Sequence, residues 1–212
     1  MNNAENIILS TAYLPPVEYF SLILVNGNPK LEKWENYGKQ SYRNRCHIYS
    51  ANGLLTLNIP IERSSESKVN IADTKIDYSY AWQVRHWRAI ASAYMSSPFF
   101  EYYCDDLQPF FLKKEIFLYD FNLKLIDLLI KLLGANVKVG ETESFIKSYP
   151  NGDYRYNIHP KEKNLDIIKN GQYQQVFAHK FGFIPNLSII DLLFNEGPSS
   201  IEFCQLKSES DR

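Results

Sequence analysis

The dipeptide Asn52-Gly53 in "CHIYSANGLLTLNIPI" restricts the fold of this chain more than any other local feature. Asn-Gly is the preferred pair for a two-residue type I′ turn, so the segment predicts a β-hairpin over residues 46–61. That turn pairs Ser50 with Leu55, Ile48 with Leu57, Cys46 with Ile59 and Asn44 with Ile61. Alternation along the strands makes this face apolar and places a second set of side chains on the opposite face: Arg43, Arg45, His47, Tyr49, Thr56 and Asn58.

The rest of the pattern predicts an α+β fold, with a small, mostly antiparallel sheet packed by several helices. Helices are expected near 16–25, 80–95, 110–133 and 188–196, a short aromatic helix near 98–110, and strands at 7–10 and over "YQQVFAH". At 212 residues, with no stretch typical of a linker, the chain is interpreted as a single domain, 1–212.

Composition excludes several classes of protein. The net charge of −1 and a pI near 6.4 argue against non-specific binding to nucleic acid, which requires a clear excess of Lys and Arg. The three cysteines are far apart and have neither disulfide nor zinc spacing, so we expect no metal site, no cofactor and a reducing, cytoplasmic location. No run of apolar residues predicts a signal peptide or a membrane span.

The stretch "SYRNRC" carries the first candidate binding residues. Arg43 and Arg45 fall on one predicted strand face, where paired guanidinium groups suit a phosphate, pyrophosphate or carboxylate. The alternatives are a solvated sheet face or structural pairing with carboxylates such as Asp73 or Asp77. Asn44 lies on the apolar row, so its amide either fixes the loop before the hairpin or contacts a substrate.

His86 is the candidate catalytic residue. The helical stripe Trp82, His86, Ala89, Ile90 and Ala93 places this imidazole in a partly dry setting, where it could act as a general base. Arg85 beside it would disfavour the protonated form. The alternative is a hydrogen-bonded core histidine. In "PNLSIIDLLFNEGP", Ser188 and Asp191 are interpreted as an N-cap with a capping-box partner.

Four ordered segments resemble the WbqC-like family: "AYLPPVEYF", "SYRNRC" before "TLNIPI", "WQVRHWRAIASAYMSSPFFEYY" and "GFIPNLSIIDLLFNEGP". They span about residues 8 to 200. The positions that match the family pattern are Tyr13, Leu14, Pro15, Tyr19, Phe20, Asn44, Arg45, Trp82, His86, Tyr94, Leu187, Ser188 and Asp191. The first loop departs from it, since "STAYLPP" lacks the glutamine or histidine with which many relatives begin this loop.

The resemblance implies a transferase, with glycyl or other acyl transfer to a sugar in O-antigen or surface polysaccharide synthesis. In that hypothesis Arg43, Asn44, Arg45 and Arg85 bind an anionic nucleotide sugar or sugar phosphate, and Tyr13 and Trp82 contact rings. A rival hypothesis is a non-catalytic module that binds a nucleotide sugar or a protein partner. In a third interpretation, Arg45 and His86 only tie the hairpin to the central helix.

Overall fold

The computed structural model describes residues 7–25, 28–65, 67–162, 164–165, 167 and 171–206. The strands in these residues are β1 (Ile8–Ser10), β2 (Lys30–Glu32), β3 (Arg45–Ser50), β4 (Gly53–Asn58) and β5 (Gly140–Glu141). The helices are α1 (Val17–Val25), α2 (Trp82–Tyr94), α3 (Phe100–Leu107), α4 (Leu118–Leu132), α5 (Ala178–Phe181), α6 (Ile189–Glu196) and α7 (Ser200–Phe203). The predicted α+β class is confirmed.

The strands form two separate sheets. β3 and β4 make the antiparallel hairpin, whereas β1, β2 and β5 make a parallel sheet in the order β1-β2-β5. Leu9 pairs with Leu31, which in turn pairs with Glu141. The parallel sheet brings together segments more than 100 residues apart, and the local sequence pattern does not predict it.

The predicted hairpin register is wrong by two residues. Ser50 pairs with Gly53, Ile48 with Leu55 and Cys46 with Leu57. Gly53 has a φ of 93°, but Asn52 has no positive φ, and a type I′ turn needs positive φ at both central residues. A shift of two preserves the alternation, so Cys46 and Ile48 lie on the buried face as predicted.

The helices follow the predicted pattern, but the bounds of one helix and one predicted strand need correction. The helix expected over 110–133 begins at Leu118, because residues Gln108–Phe111 form a 3₁₀ turn and Phe117 is extended. The strand expected over "YQQVFAH" is absent, and its last residues begin α5. In α2, Trp82, His86, Ile90 and Ala93 are buried, which confirms the predicted stripe at these positions, whereas Ala89 is only partly buried.

The core lies between the parallel sheet, the hairpin and the long helices. Side chains with no exposed surface come from β1, α1, β3, α4 and α6, for example Leu9, Phe20, Ile48, Phe121 and Leu193. Among the described residues, no helix combines the length and apolar character that crossing a bilayer requires.

Candidate functional site

Polar side chains meet at the carboxyl edge of the parallel sheet, where strands β1 and β2 end. In parallel sheets this edge commonly carries the functional site. Ser10 ends β1, and its hydroxyl accepts a hydrogen bond from Arg43 Nη2 at 2.7 Å. Arg43 also binds both oxygens of Glu35, through Nη2 at 2.5 Å and Nε at 2.9 Å. This pair is almost completely buried.

The geometry of Arg43 does not favour its predicted role as an anion ligand. Arg43 precedes β3, so it does not lie beside Arg45 on a strand face, and its Nε and Nη2 donors are engaged by Glu35 and Ser10. The carboxylate partner is therefore neither Asp73 nor Asp77. The cavity next to it, which also touches Thr11, measures only about 10 Å³, enough for one water molecule.

Arg155 forms a second buried ion cluster at this edge. Its guanidinium donates to Glu32 at 3.0 Å and to Asp153 at 2.6 and 2.8 Å. The hydrogen bonds from Arg155 lower the pKa of Asp153. Three rings surround the guanidinium: Phe145, Tyr149 and Tyr156. Because every partner is internal, this cluster fixes the loop after β5 to the sheet.

Arg45 has a different environment from the other two arginines. It forms no ion pair among the described residues, and its Nε is buried without a hydrogen-bond partner. Burial lowers the pKa of His47, and the charge of Arg45 lowers it further. Burial and the charges of Arg43 and, to a smaller extent, Arg45 also lower the pKa of His159.

We call these residues, together with two neighbouring tyrosines, the Arg45 site: Tyr37, Tyr42, Arg45, His47 and His159. The rings of Tyr42 and His47 are 5.6 Å apart. Burial raises the pKa of both tyrosines, and the charge of Arg45 opposes that rise. The site therefore combines two imidazoles with a guanidinium that has no carboxylate partner among the described residues, an arrangement suited to an anion.

His86 lies in the core between the hairpin and the loop that joins β1 to α1. The Tyr13 hydroxyl is 2.9 Å from its Nδ1, the Trp82 ring is 5.0 Å from its ring, and only 6% of the residue is exposed. Burial lowers the pKa of His86 to about 4, although a backbone hydrogen bond with Asn58 opposes this shift. The imidazole is therefore neutral at pH 7, and it links α2 to Tyr13 and to β4.

The remaining predicted residues are spread over this region. Asn44 donates from Nδ2 to the carbonyl of Ile59 at 2.8 Å, which agrees with its interpretation as an anchor for the loop. Trp82 and Tyr13 are buried beside His86. Arg85 is exposed, and its guanidinium lies 5.3 Å from the centre of the Tyr80 ring. The structure thus brings Tyr13, Trp82 and His86 together in the core, apart from the ion pair of Arg43.

Next to the base of the hairpin is an open groove of about 1100 Å³, which we call the basic groove. Asn44 and Asn58 line one part, and most of the remainder comes from residues 36, 37, 39, 60–64, 67–70 and 73–75. Asn58 is the cross-strand partner of Arg45, and Tyr37 both lines the groove and belongs to the Arg45 site. The groove and the Arg45 site are therefore neighbours.

Asp191 is not a capping-box residue, contrary to the sequence interpretation. Ser188 occupies the N-cap position of α6, but its hydroxyl is buried without a hydrogen-bond partner. The Asp191 carboxylate instead accepts from Tyr94, Tyr173 and Gln175 at 2.8, 2.6 and 3.0 Å. These donors come from distant parts of the chain, so spacing within the helix gives no sign of them.

The sequence pattern gives no sign of Glu35 or His159, and for Arg155 it indicates a possible function without a partner. The only local signal was the aromatic "DYRY" motif around Arg155, which lies among turn-forming residues and predicts no partner. Each of the three gains its role through contacts across the sheet or the loop. A pattern of helix and strand periods does not contain that information.

Comparison with known proteins places this geometry in a family. The chain is 25% identical over 229 residues to the uncharacterized protein Rv1507c of Mycobacterium tuberculosis, which covers 93% of this chain and 97% of that protein. No solved structure matches the chain. The family model of the WbqC-like protein family matches residues 11–159 and 155–203. These matches include the hairpin, α2 and α6, and the chain belongs to the WbqC-like protein family.

Proposed function

We propose that the protein binds the anionic group of a nucleotide sugar or sugar phosphate at the Arg45 site, as a cytoplasmic transferase in the synthesis of a bacterial surface polysaccharide. The observation that carries the proposal is Arg45, a partly buried guanidinium without a carboxylate partner among the described residues. Its planar fork of donors suits phosphate oxygens, and His47 and His159 add charge when protonated. The polysaccharide pathway is what the resemblance to the WbqC-like family implies, and the chain belongs to that family.

The proposed reaction is glycyl or other acyl transfer. An amine or hydroxyl of the sugar attacks the carbonyl carbon of an activated donor, the new bond forms, and the bond to the leaving group breaks. The attacking group loses its proton to a base. We assign this role to His86, which is neutral at pH 7 and can accept a proton, although the burial that lowers its pKa to about 4 makes it a weak base. It would exchange its contact with Tyr13 for the acceptor, and the rings of Tyr13 and Trp82 would hold the sugar.

The second candidate is a non-catalytic module that binds the same ligand. The observation in its favour is the enclosure of His86, since Tyr13 and the backbone of Asn58 already engage the ring and only 6% of the residue is exposed. In this alternative His86 connects α2 to the hairpin and has no catalytic role. Both candidates require the anion at Arg45.

A thermal-shift experiment tests the shared step. The purified protein is screened against nucleotide sugars, sugar phosphates, coenzyme A esters and glycyl donors, together with Arg45→Ala and the exposed Arg88→Ala on α2 as a matched control. A ligand at about 100 times its Kd stabilises by roughly 2.7 kcal/mol, which raises Tm by about 5–10 °C for a chain of this size. The shift should disappear in Arg45→Ala and persist in Arg88→Ala. The proposal is wrong if no compound shifts Tm.

The variant His86→Gln then separates the two candidates. A transferase should lose turnover of the identified substrate pair while its Kd for the ligand changes less than about twofold. If wild type shows no turnover of any pair and His86→Gln only lowers Tm, the binding module is correct.

A further inference from the structure

The basic groove is a second concentration of charge next to the Arg45 site. Four of its lining side chains are cationic, namely Lys39, Arg63, Lys68 and Lys75, whereas Glu62 and Asp73 are its acidic counterparts. None of the four cations forms an ion pair within the described part of the chain, and all four are exposed. In a chain with a net charge of −1, this local excess attracts an anion.

The groove also offers uncharged hydrogen-bonding groups and a ring. The side chains of Asn36 and Asn58 are exposed and make no hydrogen bond to other described residues. Tyr80 is 45% exposed, and its ring forms part of the lining. Amides that can donate and accept, next to an exposed aromatic ring, are suited to sugar hydroxyls and to the flat faces of sugars or bases.

The size of the groove sets the scale of its ligand. Drug-sized ligands occupy pockets of roughly 300–1,000 Å³. A groove of about 1100 Å³ is far larger than one sugar phosphate needs. Its contact with the Arg45 site through Asn58 and Tyr37 lets one extended ligand reach both.

We infer that the basic groove holds the part of the ligand that extends beyond the anion at Arg45, and that the substrate class is nucleotide sugars rather than sugar monophosphates. Lys39 and Lys68 contact a second negative group, and Asn36, Asn58 and Tyr80 contact the sugar or base. This inference rests on the proposed function, because it places the first anion at Arg45.

Calorimetric titration with two kinds of ligand tests the inference. Glucose 1-phosphate and a panel of nucleotide sugars, including UDP-glucose and GDP-mannose, are titrated into wild type and into Lys39→Ala/Lys68→Ala. The control is Lys131→Ala/Lys138→Ala, which removes two exposed lysines outside the groove. Loss of the groove lysines should weaken the tightest nucleotide sugar about tenfold, and glucose 1-phosphate less than about twofold. The control pair should leave both affinities unchanged.

Several results would overturn the inference. Equal weakening of both kinds of ligand by the groove variant, no weakening of either, or failure of every nucleotide sugar to bind wild type would each do so. Tighter binding of an acidic oligosaccharide than of any nucleotide sugar would refute the assigned class. Titration of Arg45→Ala separates this inference from the proposed function. If Arg45→Ala binds the nucleotide sugar with normal affinity while the groove variant binds it more weakly, the groove is confirmed as a binding site and the role of Arg45 is wrong.

Discussion

Replacement of Asp191 by asparagine should remove a specific part of the pH dependence of stability. The carboxylate has no exposed surface and accepts hydrogen bonds from Tyr94, Tyr173 and Gln175. These donors favour the ionised form, whereas burial without a cation disfavours it. Burial is the larger effect and raises the pKa of Asp191 to about 6.

The magnitude follows from linkage between protonation and folding. The usual aspartate pKa is about 3.9, so the folded state raises it by about 2 units, which corresponds to about 3 kcal/mol. Because the folded-state pKa is the higher one, the stabilising contribution is complete below about pH 4. It is lost as the pH rises through about 6. Wild type should therefore lose about 2 kcal/mol relative to Asp191→Asn between pH 4 and pH 7, which is most of the total, because the loss begins near the unfolded-state pKa.

Urea unfolding at intervals from pH 4 to pH 7 measures this difference, with the exposed Asp106→Asn as a control for a surface carboxylate. The difference in unfolding free energy between wild type and Asp191→Asn should change steadily over this range, whereas the control difference should stay nearly constant. A constant difference for Asp191→Asn would refute the argument. A change in the opposite direction would mean that the three donors outweigh burial.

Two other predictions concern the arginines. Glu35→Gln should destabilise the protein by about 3–5 kcal/mol in urea unfolding, since it leaves Arg43 buried without its counter-charge. The control is Glu141→Gln, which breaks the more exposed pair with Lys33 and should change stability by less than about 1 kcal/mol. Similar costs for the two variants would contradict this. The affinity for a nucleotide sugar should increase as the pH falls into the acidic range, because an anion at Arg45 favours protonated His47 and raises its lowered pKa. In the free protein the charge of Arg45 opposes this protonation, and the charge of Glu18 acts on the neighbouring Tyr42. Calorimetry on His47→Gln checks this, and an equally steep pH dependence in that variant would disprove it.

Local sequence pattern predicted the helices and the hairpin because their signals are local. The stripe of α2 and the apolar face of β3 come from side-chain periods that the chain contains within a few residues. The Asn52-Gly53 dipeptide also predicted the hairpin, but it did not predict which residues of the turn have positive φ. Gly53 alone does, and the register shifted by two as a result.

The candidate site was predictable only in part. Arg45 and Asn44 lie at the hairpin base as expected, but nothing in "SYRNRC" distinguishes an arginine with a carboxylate partner from one without. That distinction depends on Glu35, which binds Arg43 and leaves Arg45 free of an ion pair among the described residues. The parallel sheet and the partners of Asp191 join segments far apart in sequence, so local periodicity could not indicate them.

The contact of Arg155 with Glu32 spans 123 residues, and β1 lies beside residues 152–154 through the hydrogen bonds of Ile8. During synthesis the strands β1 and β2 therefore leave the ribosome long before their later partners exist. At about 5–20 residues per second the delay is roughly 6–25 s. The hairpin can form within microseconds of its emergence. The strand β1 is thus completed long after it is made, and chaperones that shield this apolar strand should act during this interval.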